Sequence, residues 1–95
     1  MTQDEFAEAV KDGTVLVDYW AEWCPGCSAL TPVLDELAEE HGLKVVKVNV
    51  DENPELAVAA GIRSIPMIHL FEGGQKVQEV VGSQSKQRLE RKLLL

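Results

Sequence analysis

The chain has two cysteines, and both fall within Trp23-Cys24-Pro25-Gly26-Cys27. Two intervening residues bring the Cβ atoms close enough for an intramolecular disulfide when the segment forms the first turn of a helix. In that placement Cys24 lies at the helix N-terminus and Cys27 one turn further in. Orphan backbone N–H groups and the helix dipole favour an anion at the first position. Cys24 is therefore expected to be a nucleophile of lowered pKa, with Cys27 more enclosed. The chemistry open to such a pair is thiol–disulfide exchange. A structural zinc site would need four ligands. No third cysteine exists, and the two histidines, His41 at a helix end and His69 within a strand, have no ligand spacing. A purely structural disulfide would close a very short loop, where the entropic gain is small, and the cytosolic setting expected below rarely preserves such bonds.

The elements that would hold this pair follow from periodicity. DEFAEAV, with Phe6, Ala9 and Val10 on one side, predicts a short helix capped by Thr2 or Asp4 and ended by Asp12-Gly13. TVLVDYWA is β-branched, aromatic and apolar on both faces, as in a central strand of a covered sheet. After Cys27 a helix is expected to run to His41, with Leu30, Val33, Leu34, Leu37 and Ala38 as its buried stripe, a kink at Pro32 and Gly42 as the C-cap. KVVKVNV at 44–50 is a second strand. Asn53-Pro54 is expected to cap and open a short helix that ends near Gly61. PMIHLF at 66–71 is a third strand, and Glu72-Gly73-Gly74 turns into its antiparallel partner at 76–81. Ser83 or Ser85 caps a last helix docked by Leu89 and Leu93. The order α β α β α β β α predicts a mixed sheet with helices on both faces. Its reactive turn lies at the carboxyl end of the parallel strands, where sites collect in open α/β sheets.

Composition bounds the rest. Ninety-five residues make one domain, 1–95, and 45% apolar content supports a packed core. Nine Lys and Arg against sixteen Asp and Glu give a net charge of −7, which argues against nucleic-acid or anionic-membrane partners. The acidity peaks in DELAEEHG at 35–42, expected to be a solvated helix face. No segment approaches a membrane span, and MTQDEF lacks the basic and apolar regions of a signal peptide, so a cytoplasmic location is expected. No GxGxxG dinucleotide fingerprint is present.

VLVDYWAEWCPGC, then VVKVNVDENPELA, GIRSIP and LFEGGQKV, closely resemble the thioredoxins, chiefly the bacterial type, over about Val15–Leu89. The resemblance implies a thioredoxin fold and a protein-disulfide reductase. Cys24 is then the exposed nucleophile and Cys27 the resolving cysteine of a redox-active disulfide. Asp18 is a buried carboxylate that helps proton transfer at Cys27, with Lys47 close to it. Pro66, after Ile65, is a cis-proline whose loop faces the disulfide and receives substrate backbone. Trp23 is a surface tryptophan beside the nucleophile, Trp20 packs behind it, and Gly82 lines the substrate surface. No bound cofactor is implied. Recycling would come from an NADPH-dependent flavoprotein reductase, and the partners would be disulfide-bearing proteins met by a monomer.

The chain departs from that pattern in three places. The dipeptide between the cysteines is Pro25-Gly26 where Gly-Pro is usual. Pro25 should hold Cys24 outside the helical region, and Gly26 restores an N–H as a further donor to the sulfur while loosening the first turn. Met67 stands where threonine is usual and is expected to alter how substrates sit beside the disulfide. The family's first strand is missing, which predicts four strands and an exposed edge at 45–50, guarded by Lys44 and Lys47. His69, a polar residue in a buried strand, is expected to be a hydrogen-bonded core histidine. Two other functions fit the same pattern: a glutaredoxin-like, glutathione-dependent enzyme, and a binding module of this fold without useful exchange.

Overall fold

The run of β-branched and aromatic residues after Gly13 forms β1, Thr14–Trp20, and its five central side chains are all buried. Burial on both faces follows from position: β1 lies between two strands and beneath helices on either side. It pairs in parallel with β2, Lys44–Asn49, and antiparallel with β3, Met67–Glu72. The latter continues into β4, Gln75–Val81, giving the order β2-β1-β3-β4. In the hairpin Gly73 and Gly74 have φ of 57° and 86°, the pair of positive values a two-residue turn requires and side chains resist. This computed structural model describes residues 1–95.

Alternation along the strands divides the interior into two cores. Leu16, Ile68, Leu70 and Val80 pack against α2, Pro25–His41, and α4, Lys86–Lys92, through Leu30, Leu34, Leu37 and Leu89. Val15, Val17, Tyr19, Val46, Val48 and Met67 face the other way, toward Val10 of α1, Gln3–Val10, and Leu56 of α3, Pro54–Ala59. The mixed four-stranded sheet and its helical cover agree with the sequence pattern. So does the place of β2 at the edge, where Lys44 Nζ donates to the Ala9 carbonyl at 3.0 Å and Lys47 Nζ lies 3.8 Å from Asp35 Oδ1.

Local chemistry sets the ends of the helices. Thr2 caps α1 in a capping box with Glu5, and Ser85 caps α4 through the Arg88 N–H. Gly42 closes α2 at φ 65°, its N–H on the Ala38 carbonyl. The second helix begins at Pro25, with Cys27 inside it as the spacing implies, and includes Pro32 on its way to His41. Three expectations need correction. Val33 is only half-buried. Asn53 stands at the N-cap of α3 without a side-chain cap: its Nδ2 donates to the Asn49 carbonyl, and its Oδ1 accepts from the terminal amine of Met1 at 2.8 Å. His69 is buried, at 2% exposure, yet no protein group reaches its ring nitrogens. Its neighbours on that face are Tyr19, which meets it edge-on with centroids 5.0 Å apart, Phe71, and the charged pair Lys76 and Glu79, the latter its cross-strand partner.

Docking of α4 rests on Leu89, which has no exposed surface. Leu89→Ala should lower unfolding free energy by about 2–5 kcal/mol, seen as a lower urea midpoint at unchanged slope.

Candidate active site

β1 ends at Trp20, and a short turn delivers the chain to α2, so the cysteine pair lies where the central strand meets a helix N-terminus. Cys24 is the N-cap residue, extended at φ −94° and ψ 105°, as a residue before proline must be. Pro25 occupies the first helical position, where its missing N–H costs nothing. Cys24 and Cys27 are joined in a disulfide with Cα atoms 5.4 Å apart. The Cys27 N–H points back at Cys24 Sγ, 3.2 Å away, so the sulfur occupies the place a capping oxygen usually takes. The donor to the sulfur is this amide; the one expected from Gly26 is not formed. No acidic residue sits in the first turn of α2 to compete for the positive end of the helix.

Two further loops close around this turn. The Ile65-Pro66 peptide bond is cis, and the Pro66 carbonyl accepts from the Gly82 N–H at 2.8 Å. Gly82 has φ 85°, a value that suits glycine there. A Cβ added at Gly26 would lie 3.4 Å from Pro66 Cδ and 3.7 Å from Ser83 Cβ, ordinary contact distances, so the first turn of α2 lies close against the Pro66 and Ser83 loops. Ile65, Val50 and Trp20 pack against Ala21, Cys24 and Cys27. One implication of the resemblance is corrected here: Cys24 is not broadly exposed. It is 4% exposed against 2% for Cys27, because its sulfur is engaged by its partner and covered by this packing. Met67 is buried and packs in the core on the α1 and α3 side of the sheet.

Trp23 stands out from the surface, 67% exposed, with Nε1 donating to Asp51 Oδ2 at 2.8 Å. Asn49 Oδ1 shapes the loop that carries Asp51 by accepting from the N–H groups of Asp51 and Glu52. Neither Asn49 nor Asp51 was singled out in the sequence, although a polar residue ending an apolar strand before Asp-Glu-Asn is a turn signal. A shallow cleft of about 310 Å³ opens between Trp23 and the segment before Pro66, lined by Trp23, Val50, Val58, Ile62, Arg63 and Ile65. The larger depression of about 530 Å³ between the N-terminus and α3 contains none of these residues.

Asp18 faces the α2 side of the sheet, 1% exposed, and its Oδ1 has no hydrogen-bond partner. Burial pushes its carboxyl up to about 6. Lys47, paired with it across β1 and β2, opposes the shift, and Asp35 on α2 adds to it. Lys47 is shared, since its ammonium also lies near Asp35.

A family model described as thioredoxin matches residues 1–94. A thioredoxin of Alicyclobacillus acidocaldarius is 48% identical over 96 residues, covering 98% of this chain and 91% of its own length. Thioredoxin 1 of a Nostoc strain is also 48% identical, with the same coverage. The structure of a mutant thioredoxin from Halobacterium salinarum superposes with a TM-score of 0.89 at 40% identity, covering 96% of this chain and 81% of that one. With a disulfide-forming pair at the mouth of α2 and relatives matched over nearly its whole length, the chain belongs to the thioredoxin family and is a thiol–disulfide oxidoreductase.

Proposed function

We propose that the chain, acting as one domain over residues 1–95, reduces disulfides in other proteins, with Cys24 as the attacking sulfur and Cys27 as the resolving one. The observation that carries this assignment is the Cys27 N–H aimed at Cys24 Sγ from the first turn of α2. That amide and the helix dipole stabilise negative charge on Cys24 and offer none to Cys27.

In the first step Cys24 thiolate attacks one sulfur of the target disulfide. The target's second sulfur leaves as a thiolate and takes a proton, and a mixed disulfide remains. Trp23, Ile65 and Gly82 hold the target beside Pro66, and Trp20, Pro25 and Gly26 support the turn. Asp18, whose carboxyl titrates near neutrality, accepts the proton of Cys27, and Lys47 tunes it. Cys27 then displaces the target's remaining sulfur from Cys24, closing the intramolecular disulfide. The cysteine pair itself carries the two electrons, and this chemistry calls for no bound cofactor.

The oxidised pair is returned to the dithiol by an NADPH-dependent flavoprotein reductase, a partner the family supports. A net charge of −7 disfavours polyanionic partners, and no helix is long and apolar enough to cross a membrane. We place the protein in the cytoplasm as a monomer.

Cys27→Ser should accumulate a mixed disulfide with a disulfide-bearing substrate such as insulin, seen on a non-reducing gel, whereas Cys24→Ser should trap little; equal trapping by both would reverse or abolish the assigned roles. For Asp18 the folded carboxyl titrates near 6 against 3.8 for the ordinary group. Between those values the unfolded chain has lost the proton that the folded chain keeps, so stability falls as pH rises through this window and then levels. Asp18→Asn should flatten that decline and raise stability at pH 8 by up to about 3 kcal/mol, while slowing insulin reduction. Urea unfolding across pH 3.5–8 measures the first effect, and marked destabilisation at pH 8 would mean that the carboxylate is well paired.

A further inference from the structure

On the face of the sheet turned away from α2, a cavity of about 350 Å³ is lined by Phe6, Tyr19, Leu56, His69, Phe71 and Lys76. That volume lies at the lower end of the range for small-molecule sites, about 300–1,000 Å³. The redox chemistry uses none of these side chains. His69 is all but fully buried, and nothing in the protein bonds its ring nitrogens. Asp18 Oδ1 is the one fully sealed polar side-chain atom left unpartnered, so the imidazole nitrogens keep slight access, and that access is to a group entering the cavity. Tyr19 packs edge-on against it at 5.0 Å, and its hydroxyl likewise has no partner in the chain.

We propose that this cavity binds a small phenol-class molecule, an aromatic ring bearing one neutral hydroxyl, with the hydroxyl hydrogen-bonded between His69 and Tyr19. The ligand O–H donates to the free imidazole nitrogen, and its oxygen accepts from the Tyr19 hydroxyl. Burial lowers the pKa of His69 and pushes that of Tyr19 up to about 12, so the inner wall presents two neutral polar groups. The only charge among the lining residues is Lys76, which is exposed. A charged ligand would lose its hydration inside with no buried counter-charge to replace it. The remaining walls select for a ring. Phe6 and Phe71 already meet edge-to-face at 5.8 Å and 79°, an arrangement that a third aromatic group extends. Water alone would serve the two polar tips but leave the phenylalanine and leucine surfaces wet.

Phenol is the probe, titrated into the full-length chain in its oxidised form and followed by ¹H–¹⁵N NMR. Saturable shifts are expected at the amides of Phe6, Tyr19, Leu56, His69 and Phe71, with those of Cys24 and Cys27 unmoved. Toluene, which keeps the ring and lacks the hydroxyl, should bind about threefold to tenfold more weakly. His69→Leu should weaken phenol by a similar factor and leave toluene unaffected or tighter. The proposal is overturned by shifts centred on the Trp23–Ile65 cleft, by no saturable shift at the cavity, or by equal affinity for phenol and toluene. The last comparison uses the unaltered chain, so it decides the matter even if the variant folds poorly. None of these readouts depends on the roles assigned to the cysteines.

Discussion

A sulfur can be held ready as an anion only where positive potential is fixed before the charge appears, and the N-terminus of α2 supplies that potential to Cys24. The amide of Cys27 is already aimed at the sulfur in the disulfide form. Little has to reorganise when the bond is reduced, because the donor belongs to a helix whose direction is set elsewhere. Leu30, Leu34 and Leu37 anchor α2 on the sheet through surfaces with no exposure, and α4 closes over the same core with Leu89. The helix thus gains its rigidity from a core that lies below the reactive turn, and the turn itself is free to be built from residues that pack poorly elsewhere. Pro25 sets Cys24 in an extended conformation, and Gly26 lies close to Pro66.

Much of this organisation was legible in the sequence because it depends on local rules. Two-sided apolarity marked β1 as central, Gly73-Gly74 marked the hairpin, and Ser85 and Gly42 marked helix ends. The edge position of β2 followed from the family resemblance, whose first strand this chain lacks, and not from a local rule. Less legible were features decided by what lies across space. Asn53 has the sequence of a capping residue, yet its side chain is taken by the Asn49 carbonyl and by the terminal amine of Met1, a partner 52 residues away. Asp51 became visible as a site residue only when the fold brought it to the Trp23 indole. Met67 follows Pro66 in sequence, and the pleat turns its side chain into the core on the α1 and α3 side, a burial that its neighbours along the chain do not reveal.

The sheet buries two titratable groups on its two faces, and the contrast between them is informative. Asp18 and His69 lie on β1 and β3, which are paired, one register step from each other: Asp18 faces Ile68 and Val17 faces His69. Alternation therefore sends the carboxyl toward α2 and the imidazole toward α1 and α3. Each lacks hydrogen-bond partners, and each is pushed by burial toward its neutral form, Asp18 upward and His69 downward. For Asp18 the Lys47 ammonium, its cross-strand neighbour, counters the shift. That counterweight keeps its titration near neutrality, the range in which a carboxyl both takes and returns protons. His69 receives opposite contributions from Lys76 and Glu79, and desolvation decides the outcome. The same sheet thus poises one group for proton transfer and holds the other as a neutral hydrogen-bonding surface.

Burying an unpartnered polar group costs about 1–3 kcal/mol in stability, and a domain of this size has little to spare. An apolar residue at either position would fit the surrounding core and avoid that cost. At position 18 the retained carboxyl lies on the side of the sheet that carries the cysteine helix. At position 69 the exception lies on the far side, among Tyr19, Phe6 and Phe71, where exchange chemistry gains nothing from it. A polar side chain kept there, reachable from an open volume and beside a second unpartnered hydroxyl, is what the proposed phenolic ligand completes. The redox site has no need of it.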